Sequence, residues 1–366
     1  MSQQQSTAQI ILAILNLLAS NTDAEHGIPL HEIGQRVGAT DKTVRAHLRA
    51  MSDAAPLGRN IRHLTRQWLS RNANSPDPTY GWCIEPAIDP AVARLIADGL
   101  TLARIDDATL QEIVDDLRPL AGMSMRDDEF HVTSLQSSER LNREFLVNVQ
   151  KLDEAIDTGR RITYRYCAYD AHGELVPRTD HDGNPRTFEA DPYRLFYKNG
   201  RYYLLCHRIG LAGLSYLYVD RFRDLRLCDP DTPLSKSLDD FAEDGAPFDV
   251  ERHLDEHPYT VSTRTVDVTM RVRHALEPVF DWFPNARVEP SPDADGSYLV
   301  HVRADEMATT WWALQFGYRA PHGINRSNIE ILAPATLRDK LRDAGRQLMD
   351  RYGDAQHGAH PEQTTS

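Results

Sequence analysis

The chain has 366 residues, 41% of them hydrophobic and 26% charged, which is enough apolar content to pack cores and too much length for one ordinary domain. Its 41 Lys and Arg against 54 Asp and Glu leave a formal net charge of −13, which excludes a uniformly basic nucleic-acid coat. No run approaches the roughly 18 uninterrupted apolar residues of a membrane span.

The N-terminus, Met1-Ser2-Gln3-Gln4-Gln5-Ser6, carries no basic segment, and the apolar stretch Ile10–Leu18 is broken by Asn16 and followed by no cleavage signal. No signal peptide is read, and the cytoplasm is the expected compartment. Cys83, Cys167, Cys206 and Cys228 are far apart in sequence and form no CxxC pair. They read as buried reduced thiols rather than as a disulfide framework or zinc site, and no cofactor is expected.

Charge is unevenly spread. Between residues 36 and 71, Arg36, Lys42, Arg45, Arg49, Arg59, Arg62, Arg66 and Arg71 face only Asp41 and Asp53, so this window carries +6 on an otherwise acidic chain. One basic island on an acidic body suggests a single surface that meets a polyanion.

Within residues 1–86, Ile10, Ile11, Ile14, Leu15, Leu17 and Leu18 recur at helical spacing and predict a helix over 7–20. Pro29 fits the first turn of a second helix lined by Leu30, Ile33 and Val37, and Gly38 stands where a C-cap glycine belongs. Thr40 or Asp41 then caps a third helix with Val44, Leu48 and Met51 facing inward. Helix, tight glycine turn and helix form a helix-turn-helix pattern. Lys42, Thr43, Arg45, His47 and Arg49 fall mainly on its outward face, where Arg and Lys can donate to guanine and Thr and His can reach bases or phosphates. Arg59, Arg62, His63 and Arg66 followed by Tyr80–Ile84 read as a basic wing with a short closing strand, which completes a winged helix-turn-helix that binds duplex DNA.

Residues 87–155 read as a helical connector. Val92, Leu95, Ile96, Leu100 and Leu102 form one helical stripe, and Leu110, Ile113, Val114 and Leu117 a second that Pro119 ends. Leu135, Leu141, Phe145, Leu146, Val149 and Leu152 form a third. Such helices can build a core or a dimer interface.

From residue 156 to 228 the period changes to two. Ile162, Tyr164 and Tyr166 alternate with polar neighbours, and the polar stretch 170–186 reads as a loop or hairpin tip. There His172, Asp180, His181 and Asp182 are read as solvated rather than metal-binding, because no ligand spacing recurs elsewhere. Asn199-Gly200 between β-prone runs predicts a two-residue hairpin turn, which sets Tyr197 opposite Tyr202 and Leu195 opposite Leu204. Strict alternation then puts Tyr193, Leu195, Tyr197, Tyr202, Leu204 and Cys206 on one face and Arg194, Phe196, Tyr203, Leu205 and His207 on the other. Residues 216–221 continue as an alternating strand.

Residues 229–262 are acidic and read as a linker with a short helix near Phe241 or Leu254. Residues 263–353 read as a small α+β domain of βαβαβα-like order, with two strands within 265–303 around a helix at 276–283, helices at 307–316 and 334–352, and a strand at 329–332. Of Trp311 and Trp312, one is expected in a core. Residues 354–366 read as a disordered tail.

Pro192-Tyr193-x-Leu195, Gly200-x-Tyr202-Tyr203-Leu204 and Asp220-Arg221-Phe222 resemble the WYL domain of bacterial transcriptional regulators. Trp311-Trp312-x-Leu314-x-Phe316-Gly317 and Ile331-Leu332-x-Pro334-x-x-Leu337-Arg338 resemble the WCX extension that follows it in that family. The order of parts agrees across nearly the whole chain. Tyr202 replaces the family's Trp, and Ser215-Tyr216-Leu217-Tyr218 stands where members often carry Arg-x-aromatic-Arg. The resemblance implies an Sm-like, SH3-type β-barrel that senses a nucleic-acid or nucleotide-like effector. Tyr166, Tyr193, Tyr203, His207, Arg208, Tyr218 and Arg221 are the candidate effector contacts, since aromatic rings stack bases and Arg or His offsets phosphate charge.

The sequence contains no Walker loop, GxSxG, HExxH or strand-borne GxGxxG, so an enzyme is not expected. The leading expectation is a ligand-responsive transcriptional regulator, a homodimer on a double-stranded operator. The alternative is a nucleic-acid-binding accessory module of an enzyme partner, docking through its N-terminal domain.

Overall fold

The computed structural model describes residues 6–101, 105–121, 142–198, 200–242, 245–261, 263–293, 296–317 and 327–353. Leu102, Leu135 and Leu141 of the connector stripes, Asn199 of the predicted turn and the tail 354–366 lie outside the described residues. Among the described residues, no helix is long and apolar enough to cross a membrane.

The N-terminal unit comprises α1 (Thr7–Asn21), α2 (Leu30–Val37), α3 (Asp41–Ala54), β1 (Ile61–Leu64), α4 (Arg66–Asn72) and β2 (Gly81–Ile84). Ser6 and Gln9 close a capping box on α1. Gly38 ends α2 at φ 69°, a left-handed conformation that costs glycine little, and the Thr40 hydroxyl accepts from the Thr43 amide to start α3. Ile14, Leu18, Ile33, Val37, Val44, Leu48 and Met51 close one core with Ile61 and Ile84 of the antiparallel β1–β2 pair. α4 interrupts the predicted wing and is capped by Thr65, whose hydroxyl accepts from the Trp68 amide. Gly81 is needed for contact: a Cβ there would sit 2.3 Å from the Ile28 carbonyl, where Ile28 and Trp82 exchange backbone hydrogen bonds of 2.9 and 2.8 Å.

α5 (Pro90–Leu100) and α6 (Asp107–Ala121) pack through Ala93, Ala97, Leu110 and Val114. This corrects two expectations. Val92, Leu95 and Ile96 of the predicted inward stripe are exposed, because the helix is apolar on several faces and its small residues permit the closer approach. α6 continues past position 119 to Ala121.

α7 (Phe145–Asp157), drawn from sequence as connector, packs into the next unit. That unit is a curled six-stranded sheet, a half-barrel, of β3 (Ile162–Tyr169), β4 (Leu175–Pro177), β5 (Thr187–Lys198), β6 (Arg201–Arg208), β7 (Leu214–Tyr218) and β8 (Phe222–Leu227). The order is β4-β3-β5-β6-β7, with β8 paired to β3 and a 3-10 turn, Val219–Arg221, between β7 and β8. Tyr197 faces Tyr202 and Leu195 faces Leu204, as the two-residue turn predicts. The register shifts between Pro192 and Arg194, so the alternation fails at Tyr193. Its ring packs on Phe241, as does that of His207, from which the strict alternation had separated it.

Residues 229–256 are more than a linker. A strap with a 3-10 turn at Leu238–Phe241 is fastened to the half-barrel, and α8 (Val250–Glu256) follows it. The C-terminal unit holds β9 (Thr265–His274), α9 (Glu277–Trp282), β10 (Arg287–Pro290), β11 (Tyr298–Asp305), α10 (Glu306–Phe316), β12 (Ser327–Ala333) and α11 (Ala335–Tyr352). Its antiparallel sheet runs β10-β11-β9-β12, a βαββαβα order with one strand more than predicted, because Arg-Val-Glu-Pro in β10 shows little apolar alternation. Trp312 is fully buried against Phe283, whereas Trp311 is 46% exposed.

Candidate nucleic-acid interface

On α3, burial of Val44, Leu48 and Met51 turns Lys42, Arg45 and Arg49 to solvent, with Thr43 and His47 half-buried beside them. Among the described residues, no ion pair is found for Lys42, Arg45 or Arg49, and the Thr43 hydroxyl is hydrogen-bonded to that of Thr40 at 2.9 Å. Ser52 Oγ donates to the Ile61 carbonyl and ties the helix to β1.

The predicted wing cations divide into two kinds. Arg59 is 8% exposed, and its Nε donates to the Glu85 carbonyl at 2.8 Å. Burial lowers its pKa from the ordinary arginine value. Arg62 pairs with the Glu85 carboxylate at 3.1 Å, donates to the Ala24 carbonyl and lies 4.4 Å over the Trp68 ring. These two guanidiniums fasten the β1–β2 unit together, which corrects their reading as outward contacts. Arg66 and Arg71 are exposed, Arg66 lying 4.5 Å over Tyr80.

Near these strands, Asp23, His26 and Ser75 align as carboxylate, imidazole and hydroxyl, with His26 Nδ1 2.9 Å from Asp23 and Nε2 3.2 Å from Ser75 Oγ. The Ser75 amide is bonded to Glu25, and residue 76 is proline, so neither supplies the N–H donor that an acyl-transfer centre needs. The group clips the loop around residue 75 to the loop after α1.

A second cluster is centred on Tyr218 at the end of β7. The Arg201 and Arg221 guanidiniums lie 4.8 and 4.5 Å from its ring, and Tyr203 lies 4.8 Å away with Phe196 stacked behind at 5.2 Å. Arg221 also approaches Tyr169, Arg178 lies 5.5 Å over Tyr166, and the Tyr218 amide donates to the Tyr166 hydroxyl at 3.0 Å. Asp220 offsets part of this charge, 3.8 Å from Arg201. Burial pushes the Tyr203 and Tyr166 hydroxyls up to about 12, so both stay protonated and able to donate. Arg178, Arg201 and Arg221 beside packed aromatic rings, with Asp220 close to Arg201, suit a ligand bearing both negative charge and a flat ring.

Of the sequence candidates, Tyr166, Tyr203, Tyr218 and Arg221 meet here, though Tyr166 and Tyr203 are themselves buried and line the cluster from below. Tyr193 does not: its hydroxyl donates to the Lys236 carbonyl under the strap. His207 does not either. It is 5% exposed, with Nδ1 3.3 Å from Asp191 Oδ2 and Nε2 2.8 Å from the Leu211 carbonyl. Arg208 lies over Phe188 instead. Asp191 is the anchor of that region, accepting from the Ser235 and Lys236 amides, the Ser235 hydroxyl and Arg161. Burial alone would raise the Asp191 pKa, but these donors outweigh it and hold the carboxyl below its usual range.

Arg178 and Arg201 were missed by sequence reasoning. The signal for Arg201 was available: pairing of Tyr203 with Tyr218 brings the residue two positions before Tyr203 opposite the 3-10 turn after Tyr218. Arg201 comes from β6 and Arg178 from the segment after β4, whereas Ser215–Tyr218 carries no cation.

A family model for the WYL domain matches residues 147–227, and one for the WCX domain matches residues 263–349. No curated protein matches the chain. Among solved structures it is similar to proteasome accessory factor B/C (PafBC) of Arthrobacter aurescens, at 18% identity and a TM-score of 0.26, over 96% of this chain and 50% of that one. The chain therefore spans half the length of that protein. The half-barrel strands fall within the first matched segment and the four C-terminal strands within the second, so the chain carries a WYL domain followed by a WCX domain.

Proposed function

We propose that the chain is a transcriptional regulator whose N-terminal unit is a winged helix-turn-helix gripping duplex DNA. The observation that carries this reading is the outward row Lys42, Arg45 and Arg49 on a helix whose opposite face is locked into a core. Arg66 and Arg71 extend the cationic surface, and phosphate contacts from these side chains supply salt-dependent affinity while Arg45 and Arg49 reach base edges. The acidic remainder of the chain repels the duplex and confines contact to this surface.

The cluster around Tyr218 binds a nucleic-acid or nucleotide-like effector, its rings stacking a base and Arg178, Arg201 and Arg221 meeting the phosphate. A homodimer in the cytoplasm reads paired half-sites, and the effector biases one relative placement of the two helical units by binding it more tightly than the other.

The test is selection of bound duplexes from a random pool by the full chain, followed by titration of the selected duplex over a range of salt. Recovery of a defined sequence with a steep salt slope supports the reading, and failure to enrich any sequence rejects it.

A further inference from the structure

α8 belongs to neither sheet and is held by both. On the half-barrel side, Tyr216 of β7 stacks on His253 at 5.9 Å with its hydroxyl 2.7 Å from His253 Nε2. Lys198 at the end of β5 donates to the Leu254 and His257 carbonyls, as a cation should at a helix C-terminus. His253 and His257 lie one helical turn apart with ring centres 4.1 Å from each other, and His257 is buried. On the opposite side, Asp255 accepts from Asn285 at 2.6 Å, and Glu256 pairs with Arg303 of β11 at 3.4 Å.

The half-barrel contact is continuous with the Tyr218 cluster. Tyr218 packs on Tyr203, Tyr203 on Phe196, and Phe196 meets the edge of Tyr216 at 6.0 Å. Tyr203 is buried and the other three rings are half-buried, so a ring displaced at Tyr218 presses on Tyr203 and Phe196 before it reaches Tyr216. Clefts of about 390 and 500 Å³, both lined by Arg252, Glu256 and Arg303, leave α8 room to shift.

We propose that α8 is a strut coupling the aromatic–cation cluster of the half-barrel to the C-terminal sheet. Its two ends are joined by different chemistry, a phenol–imidazole contact on one side and a carboxylate–guanidinium pair on the other. Loosening either end therefore weakens the hold of the other. Coupling to a ligand rests on the effector reading above, whereas the mechanical link between the two units does not.

The experiment uses the full chain with Tyr216→Phe, which keeps the ring and removes the hydroxyl, Glu256→Gln, which keeps the shape and removes the charge, and both together. If α8 is a strut, the effect of the second substitution on the unfolding equilibrium is at least roughly threefold smaller when the first is present. Additive effects would overturn the proposal. In the second arm a single-stranded oligothymidylate is added and amide exchange is followed over residues 250–257. Expected is a change in the natural chain that is lost in Tyr216→Phe while oligonucleotide affinity stays within about twofold. Oligonucleotide binding that leaves 250–257 unaltered in the natural chain also overturns the proposal. An oligonucleotide that does not bind refutes the effector reading, and the double-substitution cycle still decides the strut.

Discussion

Arg201 on β6 lies 4.8 Å from the ring centre of Tyr218 on β7, and one of its nitrogens is 3.8 Å from Asp220. It thus both covers an aromatic face and pairs with a carboxylate beside it. Replacing Arg201 with Ala should weaken binding of a single-stranded oligonucleotide by about 0.5–2 kcal/mol, the range of a partly desolvated cation–π contact. Arg208→Ala, whose guanidinium sits over Phe188, should leave affinity within twofold. Fluorescence anisotropy on both variants checks the assignment, and the reverse ranking would relocate the site.

The basic residues of the N-terminal unit should separate into two phenotypes. Arg45→Ala or Arg49→Ala should cost about 1–3 kcal/mol in operator binding if the side chain makes a bidentate base contact, with no change in melting. Arg59→Ala should instead destabilise the N-terminal unit by about 1–3 kcal/mol, because the part-buried Glu85 carbonyl loses its donor and the space of a buried side chain is vacated. Parallel gel-shift titrations and thermal melts distinguish them.

Acid should loosen α8. Burial, reinforced by the neighbouring His257, holds His253 down to about 3, and burial also lowers His257. Both imidazoles are therefore neutral when folded, while in the unfolded chain they take up protons below about 6.5. The unfolded state binds more protons in that window, so stability is fully present above it and falls as the pH drops from about 6.5 toward 3. Asp305, Glu256, Lys198 and Tyr216 surround the pair and set the size of the effect. Amide exchange of residues 250–257 at pH 7 and pH 5 measures it, and His253→Asn should flatten the difference.

Asp191→Asn should release the strap. The carboxylate is fully buried and faces Arg161 and His207, so neutralising it leaves buried donors short of charge at a cost of about 3–5 kcal/mol. The expected outcome is rapid proteolysis within residues 229–242. A variant as resistant as the natural chain would show that Tyr193 and Phe241 hold the strap unaided.

Much of the fold was legible from local rules. The pairing of Tyr197 with Tyr202 followed from a two-residue turn, which leaves only one register. It failed at Tyr193 because Pro192 has no amide to give the ladder and the strand bulges there, a non-local event that alternation does not signal. Charge counting found the basic island, but it cannot tell a guanidinium spent on a carbonyl, such as Arg59, from an exposed one such as Arg49. The short helix read near Leu254 is α8, but its packing between the two units was not legible, because much of what it buries is imidazole, which leaves little apolar stripe to read.

The docking of α7 has a practical consequence for anyone dividing the protein. Phe145, Leu152 and Ala155 lie in the half-barrel core, and Asn142 and Asn148 both donate to the Phe222 carbonyl. A piece excised at residue 156 would therefore expose a greasy trough and precipitate, whereas a cut ahead of Asn142 carries its own stopper and should stay in solution.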